Sequence, residues 1–333
     1  MTIQIGVIGL GIGQVHLRQY HALPNARIVA VADIDARLAE EAAARYGATA
    51  YSDGLRLIEE AGLDAVSICT TPRTHCALTE AAAARGLHVF CEKPMAPTLD
   101  ECQRMIAACD KAGVILAIGF KKRYAPAYAW LKEQEATWGA PRIATVKYQH
   151  GPVGKAWFWD AADGGGPLVE AAGHSLDLLR YLCGEVASVY AHTTNFFSQE
   201  HSQTVPAEVA AVLRFTSGSV ATLTAGCIAE WTDTHNERWA LAYDGALAEV
   251  EGPLDEPVLL RWQRRGEAQE SVRQFLRGEA GGFAGEFSDF LRCIETGEGA
   301  PRATGVDGLR ALQLSLALKE SGRTGQVVAV GSR

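Results

Sequence analysis

Two hydrophobic periods alternate along the first third of the chain. Ile3 to Ile8 is a short apolar run that ends in glycines, and Leu10 to Leu23, closed by Pro24, carries a helical pattern. Arg27 to Ala32 reads as a second strand ending at Asp33, followed by an alanine-rich helix from Asp35 to Tyr46 that Gly47 stops. The alternation continues with a strand at Ala48 to Tyr51, a helix capped by Ser52 and running through Ala61, and a strand at Ala65 to Cys69. Next come a helix at Thr74 to Arg85, a strand at His88 to Cys91, a helix at Leu99 to Ala112 and a strand at Val114 to Ile118. Strands separated by helices of about 10–15 residues predict an α/β domain with a parallel, doubly wound sheet over residues 1–120.

Beyond residue 120 the pattern changes. Strand-like segments follow one another at Arg142 to Gln149, Ala187 to Asn195, Glu208 to Phe215, Ser219 to Cys227, Arg238 to Tyr243, Ala246 to Glu251 and Val258 to Gln263. Thr216-Ser217-Gly218 and Asp244-Gly245 supply hairpin turns. One helix, Pro167 to Leu182, interrupts the strands, Gly266 to Gly282 is the most loop-like stretch, and two late helices follow at Phe283 to Thr296 and Val306 to Ser321. These features predict a second, α+β domain over residues 121–333, built on a large, open, mainly antiparallel sheet. Its late helices are free to pack back on the first domain. An exposed apolar sheet face predicts a homodimer or homotetramer.

Composition narrows the function classes. The chain has 333 residues, 48% hydrophobic and 21% charged, which excludes a disordered or fibrous chain. Its apolar runs, such as Val114 to Phe120, fall short of the ~20 residues needed to cross a bilayer. Met1-Thr2-Ile3-Gln4-Ile5 has no basic region ahead of a long apolar one, the pattern expected without a secretory signal. No basic run marks a nucleic-acid partner, and the net charge of −8 selects no substrate. The eight cysteines include no Cys-x-x-Cys pair, so the expectation is free thiols in a reducing cytoplasm.

The candidate chemistry begins at the first turn. Ile5-Gly6-Val7-Ile8-Gly9-Leu10-Gly11-Ile12-Gly13 follows a strand and opens a helix, and Asp33 ends the next strand. Glycines there allow a tight turn and close approach of a pyrophosphate, and the helix N-terminus offers N–H groups and positive potential. Gly9, Gly11, Ile12 and Gly13 are the candidate phosphate-binding residues. The usual spacing puts the third glycine at position 14, which is Gln14 here; Gly13 comes one residue early. Asp33 would accept hydrogen bonds from the adenosine ribose and repel an added phosphate, which favours NAD over NADP. Arg37 lies close enough in sequence to bear on that choice.

Two further segments carry ionisable groups. Val89-Phe90-Cys91-Glu92-Lys93-Pro94 ends a buried strand with two charges, at the sheet end where open α/β folds bind ligands. A lysine there can carry a proton or polarise a carbonyl. Gly164-Gly165-Gly166-Pro167 then opens a helix on which Glu170 and His174 share a face, with Asp177 near the same stripe. Leu168, Ala172, Leu176, Leu179 and Cys183 form the opposite, apolar stripe. The glycines allow close backbone approach, expected here to cofactor or substrate. His174 is suited to proton exchange because imidazole titrates at ~6.5. A metal on the Glu–His pair is disfavoured, since no third ligand has matching spacing. Among Lys121, Lys122 and Arg123, Arg123 is the candidate substrate contact and the others read as solvated. Tyr148, His150 and Trp159 are further candidates for the substrate wall, and His16 reads as a packing or capping residue.

Glu92-Lys93-Pro94, with Thr71-Pro72 and His75 after the previous strand, resembles the Gfo/Idh/MocA oxidoreductases. Gly119-Phe120 with Arg123-Tyr124, the run from Gly164 to Asp177, Phe283-x-x-Glu286-x-x-x-Phe290 and Asp307-Gly308 extend the resemblance over nearly the whole chain. The resemblance implies hydride transfer between a nicotinamide and a secondary alcohol of a sugar, inositol or related polyol. It implies that Thr71, Pro72, His75, Glu92 and Lys93 line the cofactor. It implies that Lys93 and His174 share the hydroxyl proton, with Glu170, an aspartate in many relatives, orienting His174 or binding a substrate hydroxyl. The bond before Pro94 is often cis in such proteins. The same family includes a non-catalytic dinucleotide-binding regulator and NAD-dependent glycosidases, which are the alternative readings.

Overall fold

A computed structural model describes residues 2–151, 153–195, 202, 205–227, 236–252, 258–276 and 281–331. The chain divides into two compact units, Met1–Phe120 with Phe283–Leu309 and Lys121–Gly282 with Arg310–Arg333.

In the first unit strands and helices alternate: β1 (Ile3–Ile8), α1 (Gly13–Ala22), β2 (Ala26–Ala32), α2 (Ala36–Tyr46), β3 (Thr49–Tyr51), α3 (Gly54–Glu60), β4 (Ala65–Ile68), α4 (Pro72–Ala84), β5 (His88–Cys91), α5 (Leu99–Ala112) and β6 (Leu116–Ile118). The six strands are parallel, in the order β3-β2-β1-β4-β5-β6. This is the doubly wound sheet the alternation predicts. Strand order reverses between β1 and β4, so the turns after these two strands open side by side. Such a switch point is where open α/β sheets bind ligands. Ile5, Val7, Val66, Ile68, Val89 and Phe90 are buried at 0–1% exposure, as expected of strands covered on both faces.

Helix α3 corrects one expectation. Its cap is Asp53, whose carboxylate accepts the Arg56 N–H at 2.9 Å, and not Ser52. A carboxylate also complements the positive helix start better than a hydroxyl does.

The second unit opens with a 3₁₀ turn at Lys121–Tyr124 and continues with α6 (Pro126–Trp138), β7 (Ile143–Gln149) and a second 3₁₀ turn at Ala156–Trp159. Then come α7 (Gly173–Cys183), β8 (Val186–Thr194), β9 (Glu208–Phe215), β10 (Val220–Gly226), β11 (Asn236–Ala242), β12 (Ala246–Glu251), β13 (Val258–Arg264) and β14 (Ser271–Phe275). The chain returns to the first unit with α8 (Phe283–Thr296), and α9 (Gly305–Thr324) precedes β15 (Val328–Ala329).

The sheet of the second unit runs β14-β13-β12-β11-β7-β10-β9-β8-β15. Strands β7 and β10 pair in parallel and the other neighbours antiparallel. Val146, Leu213, Leu223, Trp239 and Leu241 face a core shared with Tyr128, Leu131, Leu176 and Leu179. Alternate residues of β7, β9 and β10 face outward, the period-2 pattern of a sheet covered on one side.

Three elements depart from the sequence reading. Helix α6 was not expected among the strands, although Pro126 at its first turn and Gly139 after it are start and stop signals. The stretch read as most loop-like, 266–282, contains β14; residues 277–280 of it lie outside the described residues. The helix expected from Pro167 to Leu182 is broken in two, with a turn of π-helix at Pro167–Ala171 leading into α7.

The capping difference is testable by urea unfolding. Asp53→Ala should cost about 1 kcal/mol, within the usual range for a lost N-cap, and Ser52→Ala much less.

Candidate active site

In the first unit the three glycines of the first turn have different surroundings. Gly9 has φ +86°, and a Cβ there would lie 2.7 Å from the Cys69 carbonyl oxygen. A Cβ on Gly13 would lie 3.2 Å from Val7 and 3.5 Å from Cys69, so this glycine packs α1 onto the sheet. Gly11 faces open space, with nothing within 4 Å of a Cβ. Gly11 is thus the glycine free to admit a phosphate, although the motif is one residue short of its usual length. Helix α1 starts without a side-chain cap and with no acidic residue in its first turn, which suits an anion. Asp33 ties this turn to the next strand: Oδ2 accepts the Leu10 N–H at 2.7 Å and Oδ1 the Asp35 N–H at 2.9 Å. Arg37 is paired with Asp35 and Glu41 at 3.6 and 3.1 Å. These residues fit a dinucleotide: N–H groups and Gly11 for the pyrophosphate, Asp33 for the ribose.

At the end of β5 the Lys93–Pro94 bond is cis. From Phe90 to Ala96, Lys93 is the one residue that is not buried. Glu92 is 7% exposed; Oε1 lies 2.9 Å from His16 Nε2 and Oε2 accepts the Lys93 N–H at 3.0 Å. Burial pushes the Glu92 carboxyl up, but the hydrogen bond and charge of His16, with the Lys93 ammonium, hold it below the usual carboxylate value.

Thr71 and Pro72 begin α4, where Pro72 occupies the first turn. His75 requires a correction. It is 0% exposed, with Nδ1 3.2 Å from the Met95 carbonyl and Nε2 3.1 Å from that of Thr70. Its ring therefore braces two loops from behind and has no surface with which to line a cofactor. Burial holds this imidazole below its ordinary value.

In the second unit the π turn leads directly into α7, and Ala172 N–H bonds back to the Pro167 carbonyl at 2.8 Å. From Pro167 to Arg180, Glu170 and His174 are the two residues that are not buried. The preceding glycines approach protein rather than ligand, contrary to expectation. A Cβ on Gly164 would lie 2.8 Å from the Trp157 carbonyl oxygen and one on Gly166 1.9 Å from Val205 Cγ1. Gly165 and Gly166 also take φ of +70° and +76°, which disfavours a side chain.

Asp177 does not share the Glu170–His174 surface. It is 0% exposed and paired with Arg123, at 2.6 Å from Nη2 and 2.8 Å from Nε. Arg123 is 5% exposed and stacks over Tyr181, so its guanidinium is engaged in the core instead of presented to a substrate. Lys122, read as solvated, is 2% exposed and bonds Glu237 at 2.5 Å. Glu237 also accepts the Trp239 indole N–H at 2.7 Å. This pair escaped the sequence reading because 115 residues separate its members.

Of the proposed wall, Tyr148, His150 and Trp159 are 7–8% exposed. Their rings link through Phe158: Tyr148 to His150 at 5.5 Å, His150 to Phe158 at 6.4 Å and Phe158 to Trp159 at 5.1 Å. The Trp159 indole donates to the Val153 carbonyl at 2.7 Å, and Lys122 lies over the Tyr148 ring at 4.7 Å. His150 Nε2 lies 2.9 Å from Cys227 Sγ, and burial with the nearby Glu170 charge pushes that thiol up.

The parallel sheet, the uncapped glycine turn and Asp33 define a dinucleotide-binding enzyme of the Rossmann type. Residues 3–120 match the oxidoreductase family with NAD-binding Rossmann fold, and residues 133–242 match the Gfo/Idh/MocA C-terminal domain. The chain is 30% identical over 334 aligned positions to the myo-inositol 2-dehydrogenase of Thermotoga maritima, covering 96% of each. It is 39% identical over 192 positions to an inositol 2-dehydrogenase of Ralstonia nicotianae, covering 56% of each. The fold is similar to that of an aldose-aldose oxidoreductase from Caulobacter crescentus, with TM-score 0.87 and 26% identity over 99% of this chain and 100% of that one. The chain belongs to the Gfo/Idh/MocA family and is an NAD-dependent dehydrogenase acting on CH–OH groups.

Two variants separate binding from packing. Gly11→Ala should leave the melting temperature unchanged and weaken NAD binding in a direct titration at least several-fold. Asp177→Ala removes the carboxylate of a buried ion pair and should cost about 3–5 kcal/mol in denaturant unfolding.

Proposed function

We propose that the enzyme oxidises a secondary alcohol of an inositol, sugar or related cyclic polyol. The observation that carries this reading is the pair Glu170 and His174, the two residues left unburied along an otherwise buried helical segment. The full-length similarity to a myo-inositol dehydrogenase supports the substrate class. Bound NAD supplies the hydride acceptor. The chain's own residues orient the carbinol and move its proton. In this reading Lys93 and His174 exchange the hydroxyl proton as general acid and base, and Glu170 orients His174 or holds a neighbouring hydroxyl. Asp33 selects NAD over NADP, since a second phosphate would meet a carboxylate while Arg37 is engaged by Asp35 and Glu41. The presence of both Lys93 and His174 in the chain favours catalysis over a purely regulatory dinucleotide binder.

The assembly we propose is a homodimer or homotetramer formed through the open face of the nine-stranded sheet. Val220, Ile143, Ala242 and Leu247 lie side by side across four strands there. Val220, Ile143 and Leu247 are 41%, 54% and 61% exposed. A row of this kind is costly to leave in water. Among the described residues no helix is long and apolar enough to cross a membrane. The eight buried free cysteines suit the reducing cytoplasm, where we place the enzyme.

The test is nicotinamide absorbance with NAD and, separately, NADP across inositols, aldoses and sugar acids. NAD reduction by a cyclic polyol is expected, falling by about 10²–10⁴-fold in Lys93→Ala, the usual contribution of a positioned acid–base group. Tight NAD binding without reduction by any polyol would refute dehydrogenase action on this class. Release of an aryl leaving group from a glycoside without net reduction would identify the glycosidase instead.

A further inference from the structure

His16 is buried in α1 at 0% exposure, yet both of its ring nitrogens meet polar side chains. Nε2 lies 2.9 Å from Glu92 Oε1 and Nδ1 2.9 Å from Ser67 Oγ, which is 3.1 Å from the Tyr20 hydroxyl. An ionised carboxylate only accepts, so Nε2–H donates to Glu92. Nδ1 also lies 3.2 Å from Cys69 Sγ, so both the Ser67 hydroxyl and this thiol meet it, and Ser67 bonds on to Tyr20. The imidazole is fixed in the plane of this chain by the edge contacts of Phe90 and Phe287, at 5.3 and 4.7 Å between ring centres.

The chain ends on the backbone that carries Lys93. Glu92 Oε2 accepts the Lys93 N–H, and Gly119 leaves room for the carboxylate, since a Cβ there would lie 3.1 Å from it. Turning the Glu92 side chain would remove the acceptor of that N–H. We propose that His16 is a positioning residue of the reaction: through Glu92 it fixes the backbone from which Lys93 projects. The inference rests on the reading of Lys93 as a proton carrier.

The titratable groups around Glu92 and its chain are His16 and Tyr20 from α1, Cys69 after β4, His75 from α4, Glu286 from α8, and Cys91 and Lys93 on either side of it. Burial pushes both thiols well up, so they stay neutral. Without the Nε2–H donor, burial dominates at Glu92 and its carboxyl rises. The ionised form is then lost as pH falls through the raised value, and the acid limb of the rate profile moves to higher pH.

The experiment compares full-length H16N, H16Q, E92Q and H16N/E92Q for melting temperature, NAD affinity by direct titration, and kcat and KM against pH, with K93A as reference. An asparagine amide reaches the Nδ1 partner only, whereas a glutamine reaches out to Glu92. H16N should lower kcat by about 10²-fold, the cost of a small misplacement, with KM and NAD affinity within about 3-fold. Its acid limb should move up, H16Q should recover about 10-fold of the loss, and the double variant should be no worse than either single one. Wild-type kcat in H16N, or equal losses in H16N and H16Q with an unmoved pH profile, overturns the proposal. Should H16N fail to fold, E92Q decides: a matching fall in kcat supports the proposal, and wild-type turnover overturns it. Full activity in K93A would instead refute the reading of Lys93, whatever His16 does.

Discussion

A carboxylate taken out of water must be given hydrogen-bond donors, because its desolvation otherwise exceeds what packing returns. Glu92 sits under this constraint at the end of the parallel sheet, and several features of the first unit answer it. The helix whose uncapped N-terminus fits a dinucleotide also carries His16 one turn further on, aimed back at Glu92. Ser67 on β4 and Tyr20 on α1 complete the hydrogen bonding of the imidazole. Gly119 is bare where the carboxylate passes. Cofactor turn and lysine loop are therefore joined by one polar chain through the core, although they are remote in sequence.

The second unit answers the same constraint twice. Asp177 is met by Arg123 and Glu237 by Lys122, each within the core. Both acids are compensated by residues of the 3₁₀ turn that opens this unit, so its entry segment is anchored by two buried ion pairs. Such pairs contribute little net stability over apolar packing, but removing one partner is strongly destabilising. With these charges paired inside, Glu170 and His174 remain as the surface of the helical segment.

Much of the fold was legible because hydrophobic period reports burial, and burial decides element type. The parallel sheet followed from strands buried on both faces, and both hairpin turns fell where glycine follows a polar residue. The misses share a cause. Helix α6 carries apolar residues on more than one face, which blurs its period. The π turn is one residue wider than an α turn, so it cannot be read from a 3.6-residue pattern. At the site, glycines and ionisable residues marked candidate positions, but polarity alone could not tell a buried partner from an exposed group. Asp177, Arg123 and His75 read as site residues and are core, because the atoms that satisfy them come from distant segments. His16 was read as packing, and its bond to Glu92 spans 76 residues.

The path of the chain has a consequence for how the protein is made. The first unit is interrupted by the second: β6 at Leu116–Ile118 finds part of its bonding at Ala303 and Thr304, and Phe287 packs on the His16 ring. A ribosome that has synthesised residues 1–120 has supplied every strand of the parallel sheet but not the helix that closes its core. The emerging segment must keep that apolar surface from aggregating while 121–282 is synthesised, roughly ten to thirty seconds at elongation rates of about 5–20 residues per second. Maturation of the nucleotide-binding half is thereby coupled to completion of the other, and a prematurely terminated chain leaves its histidine–carboxylate core without its aromatic cover.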